Sequence, residues 1–308
     1  MNIKFFNKLI SFIFLLLITS SQSLSETIEL ELSEKKYGTS NVPVELIIPE
    51  NPIKKPIPLI ILQHGSTRDA GNISNGIVQT DVQMKKLSTA SLNNGFAVAI
   101  IDAFYKKNIK SSQKTKFPEA QVYAKQVASY FSKNPELDSN NFFYTGFSYG
   151  GHAALKLMND LEFGDKRKWA GIVSLEPPCN IFHEPRNFIT PLLVLKGGES
   201  HYEPKPCKTM IDLYASAGAD ASLKIFPKSN HFFSHNGKIV KGVAFNGCGD
   251  NPVIIGIDNS LRFLDGSQAN PKIVRKKCFT KTAGSGKSRE DLKLAINASI
   301  EFFKSKLN

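Results

Sequence analysis

The sequence predicts an α/β protein: a mostly parallel central sheet with helices on both faces. Two observations carry that expectation. Strand-like and helix-like segments alternate along most of the chain, the order that parallel strands with helical crossovers require. The runs at 57–62 and 96–101 are almost wholly apolar, as strands buried on both faces must be. The length of 308 residues, 41% hydrophobic and 21% charged, is ordinary for a globular protein and long enough to bury a large core.

The elements follow in order. Residues 27–32 alternate and 42–48 are rich in β-branched side chains. Both read as strands, and they are expected to add an antiparallel edge. The Pro and Asn cluster at 49–56 is a turn. A strand at 57–62 ends in His64-Gly65-Ser66. A helix is expected at 81–93, a strand at 96–101 and a helix at 118–132. A short strand at 141–145 leads into a helix at 149–159 rich in Ala and Leu. Strands at 169–175 and 191–195, a helix at 208–217 and a strand at 221–226 come next. The closing helix at 289–306 carries Leu292, Ile296, Ile300 and Phe303 at helical spacing. Residues 236–287 are Gly-rich and polar, and longer than an ordinary connection. They read as an irregular, disulfide-stapled insertion in one domain that spans 26–308.

Residues 1–25 have the layout of a secretory signal peptide. Lys4 and Lys8 precede an apolar run at 9–18, and Ser20, Ser21, Ser23 and Ser25 follow. The run is short for a bilayer span, and cleavage is expected near Ser23 to Ser25. No other stretch reaches transmembrane length, so the mature protein is expected outside the cytoplasm, in a periplasm or secreted. The formal net charge is +12. Its lysines are scattered, with short clusters at 106–110 and 275–277 and no interleaved aromatics. That pattern points to a solvated basic surface rather than to nucleic acid.

Four cysteines, Cys179, Cys207, Cys248 and Cys278, in an exported chain suggest disulfides. Three pairings are possible, and the sequential one, Cys179–Cys207 and Cys248–Cys278, is favoured. Each bridge would close a loop of roughly 30 residues and contribute about 3 kcal/mol. No C-x-x-C occurs, and the spacing of His183, Glu184 and His201 does not support a metal site.

The chemistry centres on Gly146-Phe147-Ser148-Tyr149-Gly150-Gly151, a G-x-S-x-G between a strand and a helix. A nucleophile elbow needs that context: a tight turn with small neighbours that holds the serine hydroxyl above the sheet edge. A serine hydroxyl is a weak nucleophile and needs a base in contact. His231 follows the strand at 221–226 and follows the serine in the expected chain order, with His235 as runner-up. Two backbone N–H groups are needed for the oxyanion, and Tyr149 and Ser66 are the candidates.

His64-Gly65-Ser66, Asp102-Ala103-Phe104, Gly146 to Gly151, Pro177-Pro178-Cys179, Gly197-Gly198 with Pro204 and Cys207, and Ser229-Asn230-His231-Phe232 occur in one order. Together they resemble the landmarks of the dienelactone hydrolase family, within the α/β-hydrolase superfamily. The likeness is stronger to its exported, disulfide-bearing members. The resemblance implies an α/β-hydrolase fold and hydrolysis of an ester or lactone, and it supports pairing Cys179 with Cys207; acyl transfer to water of this kind is expected to need no cofactor. It departs from the family in two places. Ser148 stands where the dienelactone hydrolases proper use cysteine, which favours a more ordinary esterase. Ser200 stands where the family has its triad aspartate. Glu199 is the expected acid, Glu203 the second choice, and Glu176 at the preceding strand end the third.

The expected function is an exported serine hydrolase acting on a small-molecule ester, with no metal. A serine peptidase of the same fold and a non-catalytic binding protein that kept the elbow are the alternatives. The loops at 67–79, 104–117 and 236–287 are expected to wall the pocket, with Phe104, Tyr105, Phe147 and Tyr149 making it partly apolar. Gly284-Ser285-Gly286-Lys287-Ser288 lacks the first glycine of a phosphate loop, since that position is Lys281.

Overall fold

The computed structural model describes residues 24–159, 162–186, 189–233, 248–278 and 290–308. Eight strands form the central sheet: β1 (Leu24–Glu34), β2 (Gly38–Ile48), β3 (Ile57–Gln63), β6 (Ala97–Ile101), β7 (Leu137–Phe147), β10 (Gly171–Leu175), β12 (Leu192–Gly197) and β13 (Ala221–Phe226). Between them lie two small hairpins: β4 (Gly71–Asn72) with β5 (Gln79–Thr80), and β8 (Glu162–Phe163) with β9 (Arg167–Lys168). Across the sheet the order is β1-β2-β6-β3-β7-β10-β12-β13. The pairs β1–β2 and β2–β6 are antiparallel, and every later pair is parallel. The antiparallel edge is the one expected from the first two strand-like segments.

The helices that cover the sheet are α1 (Val82–Asn93), α2 (Ala120–Phe131), α3 (Tyr149–Leu157), α4 (Pro204–Ser216) and α6 (Asp291–Ser305). Strand β3 is buried at all seven residues, and its alternating side chains explain why. Leu59 and Ile61 enter the core shared with α2, α3 and α4, while Ile60 and Leu62 enter the core shared with α1 and α6. Fully burying each such side chain stabilises by about 1.5–3 kcal/mol. Helix α1 starts where the Asp81 carboxylate accepts the Met84 N–H at 2.8 Å, an ordinary N-cap. Helix α4 starts four residues before its expected position, on Pro204, because proline needs no N–H partner in a first turn.

The stretch expected to be an irregular insertion is ordered in part. Among the described residues it forms β14 (Val253–Ile255), β15 (Leu261–Phe263) and α5 (Pro271–Cys278). Strand β14 also pairs in parallel with β11 (Ile181–His183), beyond the end of β10. Val253, Phe263, Ala269, Val274 and Cys278 make a separate small core. Five side chains are too few to show as a long periodic run, so the pattern did not reveal them. Residues 236–247 and 279–287 of the stretch lie outside the described residues, as do His235 and the loop at 284–288.

Both disulfides have the sequential pairing, Cys179–Cys207 and Cys248–Cys278. The second closes the small β14–β15–α5 core. Cys248→Ser with Cys278→Ser is expected to cost this subregion about 3 kcal/mol. Hydrogen exchange should then quicken at Ile254 and Arg262 and stay slow at Ile60 and Val98. Equal loss of protection in both places would refute local stapling.

The expected leader falls mostly outside the described residues, although Leu24 and Ser25 already pair with Ile48 and Ile47 in β1. Among the described residues no helix is long and apolar enough to cross a membrane.

Candidate active site

The parallel strands end along one edge of the sheet, where loops can gather polar side chains above a rigid floor. Ser148 stands immediately after β7, with φ 52° and ψ −99°, and caps α3. A non-glycine residue at that φ is strained and has to be held by its surroundings. Three hydrogen bonds do so. The Ser148 N–H donates to Leu175 O at 2.8 Å, the Tyr144 hydroxyl to Gly150 O at 3.1 Å, and the Ser174 hydroxyl to Gly151 O at 2.8 Å. The glycines are dictated by close approach: a Cβ on Gly150 would run into the Gln63 carbonyl, and one on Gly151 into that of Leu175.

His231 lies in the turn after β13, buried, with its imidazole between two partners. The Ser148 hydroxyl donates to Nε2 at 3.0 Å, and Nδ1–H donates to Oε2 of Glu176 at 2.9 Å. The carboxylate on His231 is therefore Glu176, the third of the three sequence candidates. Glu199 is exposed, and its N–H donates to Ser229 O at 2.8 Å. Glu203 caps α4 and is half-buried.

The register of the sheet explains why Glu176 rather than Glu199 meets His231. Leu175 pairs with Leu195, so Glu176 and Lys196 emerge side by side one position later. Glu176 has φ 52°, so the chain turns sharply there. Its Oε2 accepts from the Lys196 ammonium at 2.7 Å and from the Ser200 hydroxyl at 2.8 Å, and Oε1 accepts from the Gly197 N–H. Ser200, at the position expected to hold an aspartate, thus donates to the glutamate that meets His231. Lys196 was the missed signal. This lysine directly follows the apolar run Leu192-Leu193-Val194-Leu195 within the same strand and is wholly buried, and a buried ammonium needs a carboxylate beside it.

The electrostatics follow from burial and pairing. Burial alone would raise the Glu176 carboxyl, but the Lys196 ammonium and His231 outweigh it and hold it below the usual carboxylate range. For His231, burial is the largest influence and lowers it; Glu176 opposes, and the net direction is downward. His201, ring centroid 4.5 Å from that of His231, is pushed down by burial to about 3 and is neutral.

Ser66 and Tyr149 both line the cavity that holds Ser148. Tyr149 opens α3, where the first N–H groups of a helix have no partner within it. The loop carrying Ser66 is tied from two sides. The Gly65 N–H donates to Asp81, and His64 Nδ1–H donates to Gly65 O. His64 Nε2 accepts the Ala103 N–H at 3.1 Å, and burial lowers its pKa to about 4, so this tautomer is fixed. A trans peptide points its C=O and N–H in opposite directions, so the Ser66 N–H faces away from His64.

The cavity encloses about 710 Å³ and is lined by Phe117, Pro118, Pro178, Ile181 and Tyr202 as well as Ser148 and Tyr149. Of the four aromatics expected in its wall, Tyr149 alone is there. Phe104 is buried behind it at 5.1 Å, and Phe147 packs on the His231 ring at 5.1 Å. Tyr105 is half-buried beside Lys106, away from the lining.

The BD-FAE family model matches residues 44–182, a span that includes Ser148 and Glu176 and ends before His231. Solved structures share the architecture over most of the chain. A dienelactone hydrolase-like promiscuous phosphotriesterase from metagenomic libraries is 12% identical over 93% of this chain and 99% of its own, with a TM-score of 0.57. The fold is that of the α/β hydrolases. A Klebsiella pneumoniae protein assigned as a dienelactone hydrolase is 16% identical over 69% of this chain and 88% of its own, with a TM-score of 0.50. A Pyrococcus horikoshii acylaminoacyl peptidase is 12% identical over 70% of this chain but only 38% of its own, with a TM-score of 0.50. No curated protein sequence matches the chain.

Proposed function

We propose that this α/β-hydrolase chain is an exported serine hydrolase that cleaves a carboxylic ester or lactone through an acyl-enzyme on Ser148. The observation that carries this reading is the unbroken relay from Ser148 Oγ through His231 to Glu176, at 3.0 and 2.9 Å. His231 Nε2 takes the hydroxyl proton as Oγ bonds to the ester carbonyl carbon. The Tyr149 and Ser66 N–H groups hold the oxyanion. Collapse expels the alcohol oxygen, which leaves with the proton from His231. Water then repeats the sequence on the acyl-enzyme and releases the acid. Glu176 holds the imidazole tautomer and offsets its charge while it is protonated. Export rests on the N-terminal apolar run and the two disulfides. It is checked by sequencing the N-terminus of the protein recovered outside the cytoplasm.

The decisive experiment pairs turnover of p-nitrophenyl acetate with labelling by a fluorophosphonate. Turnover together with a label on Ser148 supports the reading. A chain that neither turns over nor labels is a binding protein that kept the elbow.

The pH dependence has a defined sign. The base acts only as neutral imidazole, so activity is lost as pH falls through the His231 pKa. Burial moves that pKa below its ordinary value of 6.5. The acid limb of kcat/KM should therefore have its midpoint below about 6.5, with full activity through neutral pH. A midpoint above 7 would contradict it.

A further inference from the structure

We infer that the natural ester carries an anionic group, a carboxylate in the simplest case, bound at the Lys156 end of the cavity and about one ligand length from Ser148. The inference rests on Ser148 as the reacting residue and adds the substrate class. Four lysines from three separate parts of the fold, Lys35 and Lys36, Lys114, and Lys156, line the cavity against a single carboxylate, Glu119. Among the described residues none of the four has a carboxylate within ion-pair distance. Lys156 is half-buried, and burial holds it below the ordinary lysine range, so an arriving anion restores what its ammonium loses on leaving water.

Helix α3 sets the geometry. Ser148, His152 and Lys156 are four residues apart, so they share one helix face. The rise of the helix puts Lys156 about 12 Å along the axis from Ser148. Tyr149, Phe117 and Ile181 are among the apolar walls of the same cavity. The cavity thus offers a reacting end at Ser148, apolar walls, and a cationic end where Lys36 lies near Lys156, while Lys114 stands at the reacting end, hydrogen-bonded to the Tyr202 that packs on His231.

Asn180 is a second, independent pointer. It is 5% exposed, it lines the same cavity, and its Nδ2 has no hydrogen-bond partner. A buried amide donor without a partner is costly, and an anion oxygen would satisfy it. His152, also in the lining, has an unpartnered Nδ1 and is neutral, its pKa pushed down by burial to about 3. It offers a polar contact and no charge. The ligand class that fits all of this is an extended ester with an apolar middle and a terminal anion.

The test compares p-nitrophenyl half-esters of linear dicarboxylic acids, about four to ten carbons long, with p-nitrophenyl esters of monocarboxylic acids of equal length. The expected result is a kcat/KM ratio that favours the anionic ester by about tenfold or more in the longer members and falls with added salt. Lys156→Met should cut that ratio about tenfold, while Lys133→Met, an exposed change remote from the cavity, should keep it. Calorimetry of sebacate binding to Ser148→Ala separates this inference from the hydrolase reading. Binding that weakens in Lys156→Met supports the anion site even if no ester is turned over. Turnover of neutral esters with no anionic preference at any length and no sebacate binding overturns the inference and leaves the hydrolase standing.

Discussion

Ser148→Ala is expected to lower kcat/KM for p-nitrophenyl acetate by about ten-thousand-fold to a million-fold, with thermal stability unchanged. In the proposed mechanism Ser148 is the nucleophile, because its hydroxyl is the one that meets the His231 imidazole, at 3.0 Å. The strained turn survives the change, since it is held by the backbone N–H of Ser148 and by Tyr144 and Ser174, not by the hydroxyl. His231→Ala should fall by a similar amount. The double variant should be no worse than either single one, because residues that act as a unit do not contribute additively. A fluorophosphonate should label the wild type and neither variant. Retained turnover in Ser148→Ala would show that the esterolysis arises elsewhere on the molecule.

The second large effect is on Glu176. Glu176→Gln should reduce kcat by about a thousandfold to ten-thousandfold, because an amide cannot hold the Nδ1–H tautomer as a carboxylate does. It should also destabilise the fold by about 3–5 kcal/mol, because Lys196 would be left as an unpaired buried charge. The two losses can be separated. Glu176→Gln combined with Lys196→Met removes the orphaned ammonium, so stability should largely return while activity stays low. Glu199→Gln, on an exposed side chain, should stay within about twofold of wild type. The opposite pattern, with Glu199 essential and Glu176 dispensable, would return the acid to the position first expected from the sequence.

Much of the architecture was legible because it follows from local pattern. Continuous apolar runs such as Ile57 to Leu62 announce strands covered on both faces, and β3 is buried throughout. The G-x-S-x-G between a strand and a helix located the turn at Ser148, since steric crowding permits little else there. The antiparallel edge followed from two β-rich segments before the first buried strand. The small β14–β15–α5 region did not show, because strands of three residues are too short to display a period.

By itself, the sequence determined the strand and helix order, the tight turn at Ser148, and a histidine after the strand that ends at Phe226. These depend on near neighbours along the chain, where spacing translates directly into geometry. The tertiary structure alone decided which carboxylate meets His231 and which lysines share a cavity with Ser148. Glu176 and Lys196 are 20 residues apart in sequence and become partners only through the register of β10 on β12. Lys36 and Lys156 meet one cavity only because the β1–β2 turn packs on the segment before α2, where Lys36 donates to Phe117 O and Tyr37 to Lys116 O. Such contacts are set by how whole elements pack, and no local period records them.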